Sequence, residues 1–267
     1  MELFGKNVVL TGAASGIGAE LLRSLCKANA NVVAADLNTV DLTPEYTNTW
    51  AYQVDLSQKK EVDELFEFAR EKMGHIDVFI ANAGFAYYEK IQGACWQRIE
   101  NIFQTNVFSP LYGALKMATL NSGREFSVVV TASAMAKVPM PGYALYASTK
   151  AALDAFAAAY RMEADDGHLL LVYPIATRTG FFDKTGSNPP IPWPTQSPER
   201  VAASIIDGIR NKRKSVVPSK TFQCMRLANR FLPGLFPIYL KWERFRFNNW
   251  LKRKNSEILG EPARNKG

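Results

Sequence analysis

The stretch Thr11-Gly12-Ala13-Ala14-Ser15-Gly16-Ile17-Gly18 constrains this chain more than any other. It follows Asn7-Val8-Val9-Leu10-Thr11, a short apolar run that reads as a buried strand. It precedes Ala19-Glu20-Leu21-Leu22, which has helical period. A glycine-rich turn between a strand and a helix lets backbone N–H groups approach a pyrophosphate, and the helix N-terminus adds favourable partial charge. A flexible loop with no ligand is the competing reading, and the flanking strand and helix disfavour it. The candidate cofactor contacts here are Gly12, Ser15, Gly16, Ile17 and Gly18.

The same alternation continues down the chain. Short apolar runs at 31–35, 50–54, 76–80, 126–132, 168–173 and 215–217 read as strands. Helical patterns lie between them. One runs to about Met73 with Ser57 as its cap, one covers 94–119, and one covers 198–210. Repeated βαβ order without a composition break implies a doubly wound α/β domain with a parallel sheet flanked by helices, over residues 1–218. Asp36 closes the second strand, near twenty residues past the glycines, where an acidic side chain meets an adenosine ribose. An acid there suits free hydroxyls and repels a 2′-phosphate. No Lys or Arg stands at 13–15 or 37–48, so NAD is expected rather than NADP. A strand-end turn is the other role open to Asp36.

Two Tyr-x-x-x-Lys pairs occur, Tyr112 with Lys116 and Tyr146 with Lys150. On a helix each pair shares a face. A phenol has a pKa of about 10, and a fixed cation nearby lowers it towards useful acid–base chemistry. The apolar strand before Ser133 selects the second pair. Ligands of open parallel sheets sit beyond strand carboxyl ends, and Ser133 is at such an end, a short loop before Tyr146. Tyr112 has no comparable hydroxyl upstream and reads as an ordinary helix-face residue. Asn106, within an apolar stretch, is either a satisfied core amide or part of a site.

Several classes are disfavoured. Cys26, Cys95 and Cys224 are widely spaced, and His75 and His168 are the sole histidines, so no metal cluster follows from His and Cys. Free thiols in a reducing, cytoplasmic setting are the simpler reading. No secretory signal pattern or run of spanning length is visible. The net charge of +7 is uneven: 212–267 holds 14 Lys/Arg against 3 Asp/Glu, while 1–211 is mildly acidic.

With these residues in place, the sequence resembles the short-chain dehydrogenase/reductase family over roughly 5–218. The likeness rests on T-G-x-x-x-G-x-G at Thr11–Gly18, Asp55-Leu56, Asn82-Ala83-Gly84, Asn106, Ser133, and Y-x-x-x-K at Tyr146 and Lys150. Pro174 and Thr179 match a further motif whose glycine is replaced by Ile175. The resemblance implies a Rossmann-type sheet and hydride transfer between a nicotinamide and a CH–OH carbon. It implies Tyr146 as acid–base, Lys150 lowering its pKa and holding the ribose, Ser133 orienting the substrate oxygen, and Asn106 holding a relay water. Cofactor contacts implied in the same way are Asp55, Leu56, Asn82, Ala83, Gly84, Pro174 and Thr179.

The expected substrate side is apolar, with Ser133, Met140, Tyr143, Phe181, Phe182 and Trp193 as candidates. That suits a lipophilic secondary alcohol or ketone such as a steroid, retinoid or long-chain compound. The alternatives are a 3-oxoacyl-type carbonyl reductase, or a non-catalytic NAD-binding protein at a membrane surface. The segment 219–254 mixes basic and bulky apolar residues and reads as two amphipathic helices broken at Leu-Pro-Gly-Leu-Phe-Pro. It could pack on protein as a lid or dimer arm, or lie on an anionic membrane surface; nucleic-acid binding is disfavoured for want of a recognised module. A polar tail is expected over 255–267, and a homodimer or homotetramer is expected for the assembly.

Overall fold

The fold was analysed as a computed structural model, which describes residues 1–258 except 40–41, 43–46, 92, 164–166, 184 and 186–187. Seven parallel strands form one sheet: β1 (Asn7–Thr11), β2 (Asn31–Asp36), β3 (Thr49–Gln53), β4 (Val78–Ala81), β5 (Phe126–Thr131), β6 (Gly167–Val172) and β7 (Ser215–Val216). Their order is β3-β2-β1-β4-β5-β6-β7. The direction of winding reverses between β1 and β4, which opens a crevice at their carboxyl ends.

The helices that cover the sheet are α1 (Gly16–Lys27), α2 (Lys59–Met73), α3 (Trp96–Phe103), α4 (Ser109–Leu120), α5 (Ala144–Glu163) and α6 (Pro198–Arg210). Side chains alternate across each strand. Val8 and Leu10 of β1 pack with Leu21 and Leu25 of α1 and Ile205 and Ile209 of α6. Val9 faces the other way, in the core that holds Leu65 and Phe66 of α2, Met117 of α4 and Leu153 of α5. Both faces are buried, which explains why β1, β2 and β5 read as nearly continuous apolar runs.

Two local expectations are corrected. Ser57 does not cap α2: its amide donates to the Asp55 carboxylate at 2.9 Å, while Glu61 of the first turn accepts from the Asp55 N–H at 2.6 Å. The carboxylate of Glu61 also complements the positive end of the helix. The single helix expected over 94–119 is interrupted: α3 and α4 are joined by a π-helical segment, Gln104–Phe108, that contains Asn106.

After β7 come α7 (Lys220–Phe231) and α8 (Leu235–Ile258). The Ser219 hydroxyl accepts from the Phe222 N–H and caps α7. Asn229 accepts from the Phe236 N–H at 3.0 Å and fixes the turn between the helices. Residues 255–258 continue α8 rather than starting a tail, and 259–267 lie outside the described residues. No helix among the described residues is long and apolar enough to cross a membrane.

The turn between β1 and α1 is crowded. A Cβ on Gly18 would fall 1.7 Å from the Gly12 carbonyl oxygen. Gly18→Ala should therefore lower the unfolding free energy by about 1–3 kcal/mol, the usual cost of overpacking, measured by urea denaturation against wild type.

Candidate active site

The glycine turn is built by close backbone approach. Gly12 has φ +68°, and a Cβ there would sit 2.8 Å from the Ala83 Cα. Thr11 Oγ1 accepts from the N–H groups of Asn82 and Ala83, and Asn82 Nδ2 donates to the Gly12 carbonyl at 3.2 Å. Thr131 donates to Asn82 Oδ1, so the ends of β1, β4 and β5 are tied at one point. Gly16 has φ +56°, and the Thr179 methyl lies 2.9 Å from where its Cβ would be. The chain after β6 is thus folded against the turn. It is also held by Pro174, whose carbonyl accepts from Ala134 N–H at 2.8 Å.

The turn fits a dinucleotide phosphate group. A helix's first N–H groups lack intrahelical acceptors. Ser15 occupies the N-cap with no side-chain cap bond, and no acidic side chain stands in the first turn of α1. Gly16, Ile17 and Gly18 begin the helix there. Asp36, at the end of β2, accepts from the Ala14 N–H at 2.9 Å and from the Asn38 N–H at 3.3 Å, so its carboxylate stands fixed beside the turn. Asp55 and Leu56 follow the neighbouring β3, with the Asp55 carboxylate accepting from the Ser57 N–H.

Ser133, Tyr146, Lys150 and Asn106 converge beyond the ends of β4 and β5. Ser133 is extended and opens a short 3₁₀ turn, accepting from the Met135 N–H at 3.1 Å. Tyr146 is in the first turn of α5 and Lys150 one turn later. The ammonium nitrogen lies 5.6 Å from the Tyr146 ring centroid and donates to the Thr131 carbonyl at 2.8 Å. Asn106 is fully buried. Its Oδ1 accepts from the Phe85 N–H at 3.0 Å, its Nδ2 donates to the Phe85 carbonyl at 2.8 Å, and Nδ2 also reaches Thr149. The π segment delivers this amide to the site; such segments cluster at functional positions. Gly84 marks the convergence, since a Cβ there would lie 3.1 Å from Asn106 Oδ1 and 3.5 Å from Lys150 Nζ.

Burial dominates the protonation of the pair. It pushes Tyr146 up to about 12, against a lowering by the Ser133 hydrogen bond, and brings Lys150 down to about 7. The expected lowering of Tyr146 by Lys150 is not found here. Desolvation disfavours each charged form, and the lysine nitrogen is directed at a carbonyl rather than at the phenol oxygen.

A narrow apolar cavity of about 40 Å³, open to solvent, adjoins Ser133. Of the substrate candidates, Ser133, Met140 and Trp193 line it. Tyr143, Phe181 and Phe182 do not; they pack in the aromatic cluster around Tyr146, with Phe181 at 5.7 Å and Tyr143 at 6.3 Å between ring centroids. Much of the rest of the wall comes from 219–254, in keeping with the reading of that segment as a lid packed on protein. Phe222 and Met225 of α7 and Phe236 and Tyr239 of α8 supply it, together with Ile175. Ile175 stands where the resembled motif has glycine, and its side chain packs with Val138 and Phe222. The signal available in the sequence was the amphipathic period of 219–254. Tyr112 and Lys116 are remote from these groups and both bond Asp63 of α2, a helix-to-helix tie.

The sequence matches the family described as short chain dehydrogenase over residues 6–189. An uncharacterised oxidoreductase of Methylorubrum extorquens is 33% identical, over 58% of this chain and 65% of that protein, so the alignment spans just under two thirds of that relative. A 3-ketodihydrosphingosine reductase of Dictyostelium discoideum is 29% identical over 90% of this chain and 82% of its own length. Two solved structures share the fold at 19% identity and a TM-score of 0.74. One is a short-chain dehydrogenase of Sphingobium yanoikuyae in complex with NADPH, covering 98% of each chain. The other is from Burkholderia phymatum in complex with NAD, covering 87% of this chain and 96% of that one.

The Lys150 shift carries a stability signature. Its folded pKa lies below its unfolded value of about 10.4, so between these values the unfolded chain binds more protons and stability rises with pH. The penalty is fully present below about 7 and relieved by about pH 10. Urea denaturation at several pH values should show this rise in wild type and a flatter profile in Lys150→Met.

Proposed function

Since the chain belongs to the short-chain dehydrogenase family, we propose that it transfers hydride between NAD(H) and a lipophilic secondary alcohol or ketone. The observation that carries this reading is the cavity at Ser133, whose remaining walls are almost wholly apolar. Such a site binds by burial and leaves one or two polar groups to orient the reacting atom. NAD is favoured over NADP by Asp36 and by the absence of Lys or Arg at 13–15 and 37–48. A fixed carboxylate beside the ribose repels a 2′-phosphate.

The cofactor would be held by the Gly12–Gly18 turn, Asp36, Asn82, Ala83, Gly84 and Thr179, and it supplies the hydride chemistry. The chain supplies position and protons. Ser133 holds the substrate oxygen, where negative charge builds in the transition state. Tyr146 gives its proton to the substrate oxygen in reduction and, as the phenolate, takes it back in oxidation. Lys150, directed at the Thr131 carbonyl and 5.6 Å from the Tyr146 ring centroid, would hold the nicotinamide ribose. Asn106 fixes the Gly84-Phe85 backbone against α5 and keeps these groups in register.

A reductive role on a long-chain 3-oxo compound is the second reading. The name of the Dictyostelium relative favours it, because that alignment extends over most of both chains. The two readings share every catalytic group and differ in direction.

Spectrophotometry of NADH with a panel of hydrophobic alcohols and ketones tests the proposal. Tyr146→Phe should reduce kcat by about 10²–10⁴-fold, the usual worth of a general acid–base, with NADH affinity unchanged. Full turnover in that variant would overturn the assignment. Asp36→Asn keeps an acceptor for the Ala14 N–H and removes the charge. It should raise the NADP-to-NAD ratio of kcat/KM by about tenfold or more, and an unchanged ratio would refute the role given to Asp36.

A further inference from the structure

Helices α7 and α8 each present two faces. The inner faces carry Phe222, Phe247 and Trp250, which are buried, and the cavity-lining residues already described. The outer faces are apolar as well. On α8, Leu235, Ile238, Trp242 and Phe245 recur at helical spacing on one exposed stripe, and α7 exposes Leu227 and Phe231, one turn apart. Phe231 is 74% exposed, Ile238 67% and Phe245 63%. Packing of the inner faces already accounts for the docking of this hairpin on the domain. The outer stripe is surplus to it, and clustered exposed apolar side chains of this kind mark interaction sites.

Charge indicates what covers the stripe. Residues 219–258 hold nine Lys/Arg against two carboxylates, Glu243 and Glu257. Glu243 is buried and engaged by Arg246 and Tyr239, so it does not offset the surface charge. A second copy of this chain would, across a two-fold interface, set this positive surface against itself. An anionic lipid surface complements both the charge and the apolar stripe. The stripe also reaches the cavity. The Arg246 guanidinium lies over the Trp242 ring at 4.7 Å and donates to the Ile191 carbonyl. Ile191 and Trp193 are exposed, and Trp193 lines the cavity.

We propose that the outer face of α7 and α8 docks on an anionic bilayer, placing the cavity mouth at the lipid surface, where an apolar substrate is drawn from the membrane. The second half of this statement rests on the lipophilic substrate proposed above; the docking does not. The hairpin would then lie in the interface plane, with aromatic and basic side chains at headgroup depth.

Flotation of the full chain with phosphatidylcholine vesicles, with and without about 30% phosphatidylserine, tests the docking without any need for turnover. Removing 219–258 is unsuitable because it would open the cavity wall. Phe231→Glu/Ile238→Glu/Phe245→Glu changes only exposed side chains. Wild type should float with the anionic vesicles, and this triple variant should bind them at least about tenfold more weakly. The variant should turn over a water-soluble alcohol as wild type does. Wild type that stays unbound to both vesicle types overturns the proposal, as does a variant that floats equally well. A wild-type dimer that the variant dissolves, with no vesicle binding, would assign the face to a second copy instead. Vesicle binding in the absence of any NAD-linked turnover would leave the docking standing and sink the enzymatic reading.

Discussion

The close approach of the chain after β1 to the chain after β4 is the constraint on which this structure turns. Gly12 lies against Ala83, and Thr11 Oγ1 receives two amides from the opposite strand end. A side chain at either Gly12 or Gly18 would separate the two segments. Their junction sets the crevice where the sheet changes its direction of winding. It also directs the first turn of α1 towards that crevice, leaving Asp36, Ser15 and Thr179 around it.

A second tie of the same kind places the proposed acid–base groups. Asn106 bonds both backbone groups of Phe85 and reaches Thr149 on α5. It therefore joins the segment after β4, the π segment and the helix carrying Tyr146 and Lys150. Those two side chains are then held in a poorly solvated place, where desolvation pushes the phenol up and the ammonium down. A neutral phenol is a proton donor, the form that reduction of a carbonyl requires. Burial disfavours a fixed phenolate, which a cation pointed at the oxygen would have produced.

Much of this was legible from local pattern. The strand, glycine turn and helix at 7–22 are consecutive, so one short window carries their meaning. The choice of Tyr146 over Tyr112 needed only a strand ending in Ser133. The cavity was another matter. Tyr143, Phe181 and Phe182 are aromatic and close in sequence to the site, yet they pack in the cluster around Tyr146, because proximity along the chain does not fix which way a ring points. Phe222, Met225, Phe236 and Tyr239 come from a segment beyond the family match, and nothing in their spacing says which of two apolar faces turns inward. The π segment was invisible for a related reason: one extra residue in a turn leaves the apolar period of 94–119 almost unchanged.

The sequence by itself determined the layers of the sheet, the glycine turn and the residues that meet at strand ends. These depend on chain-local geometry and on side-chain alternation. Only the tertiary structure decided that the basic, aromatic C-terminal segment walls the cavity with one face and leaves the other to solvent. Amphipathic period gives a helix its apolar sides, but which side is buried depends on the shape and polarity of the surface it meets. That surface is assembled here from residues as distant as Ser133, Val138 and Ile175.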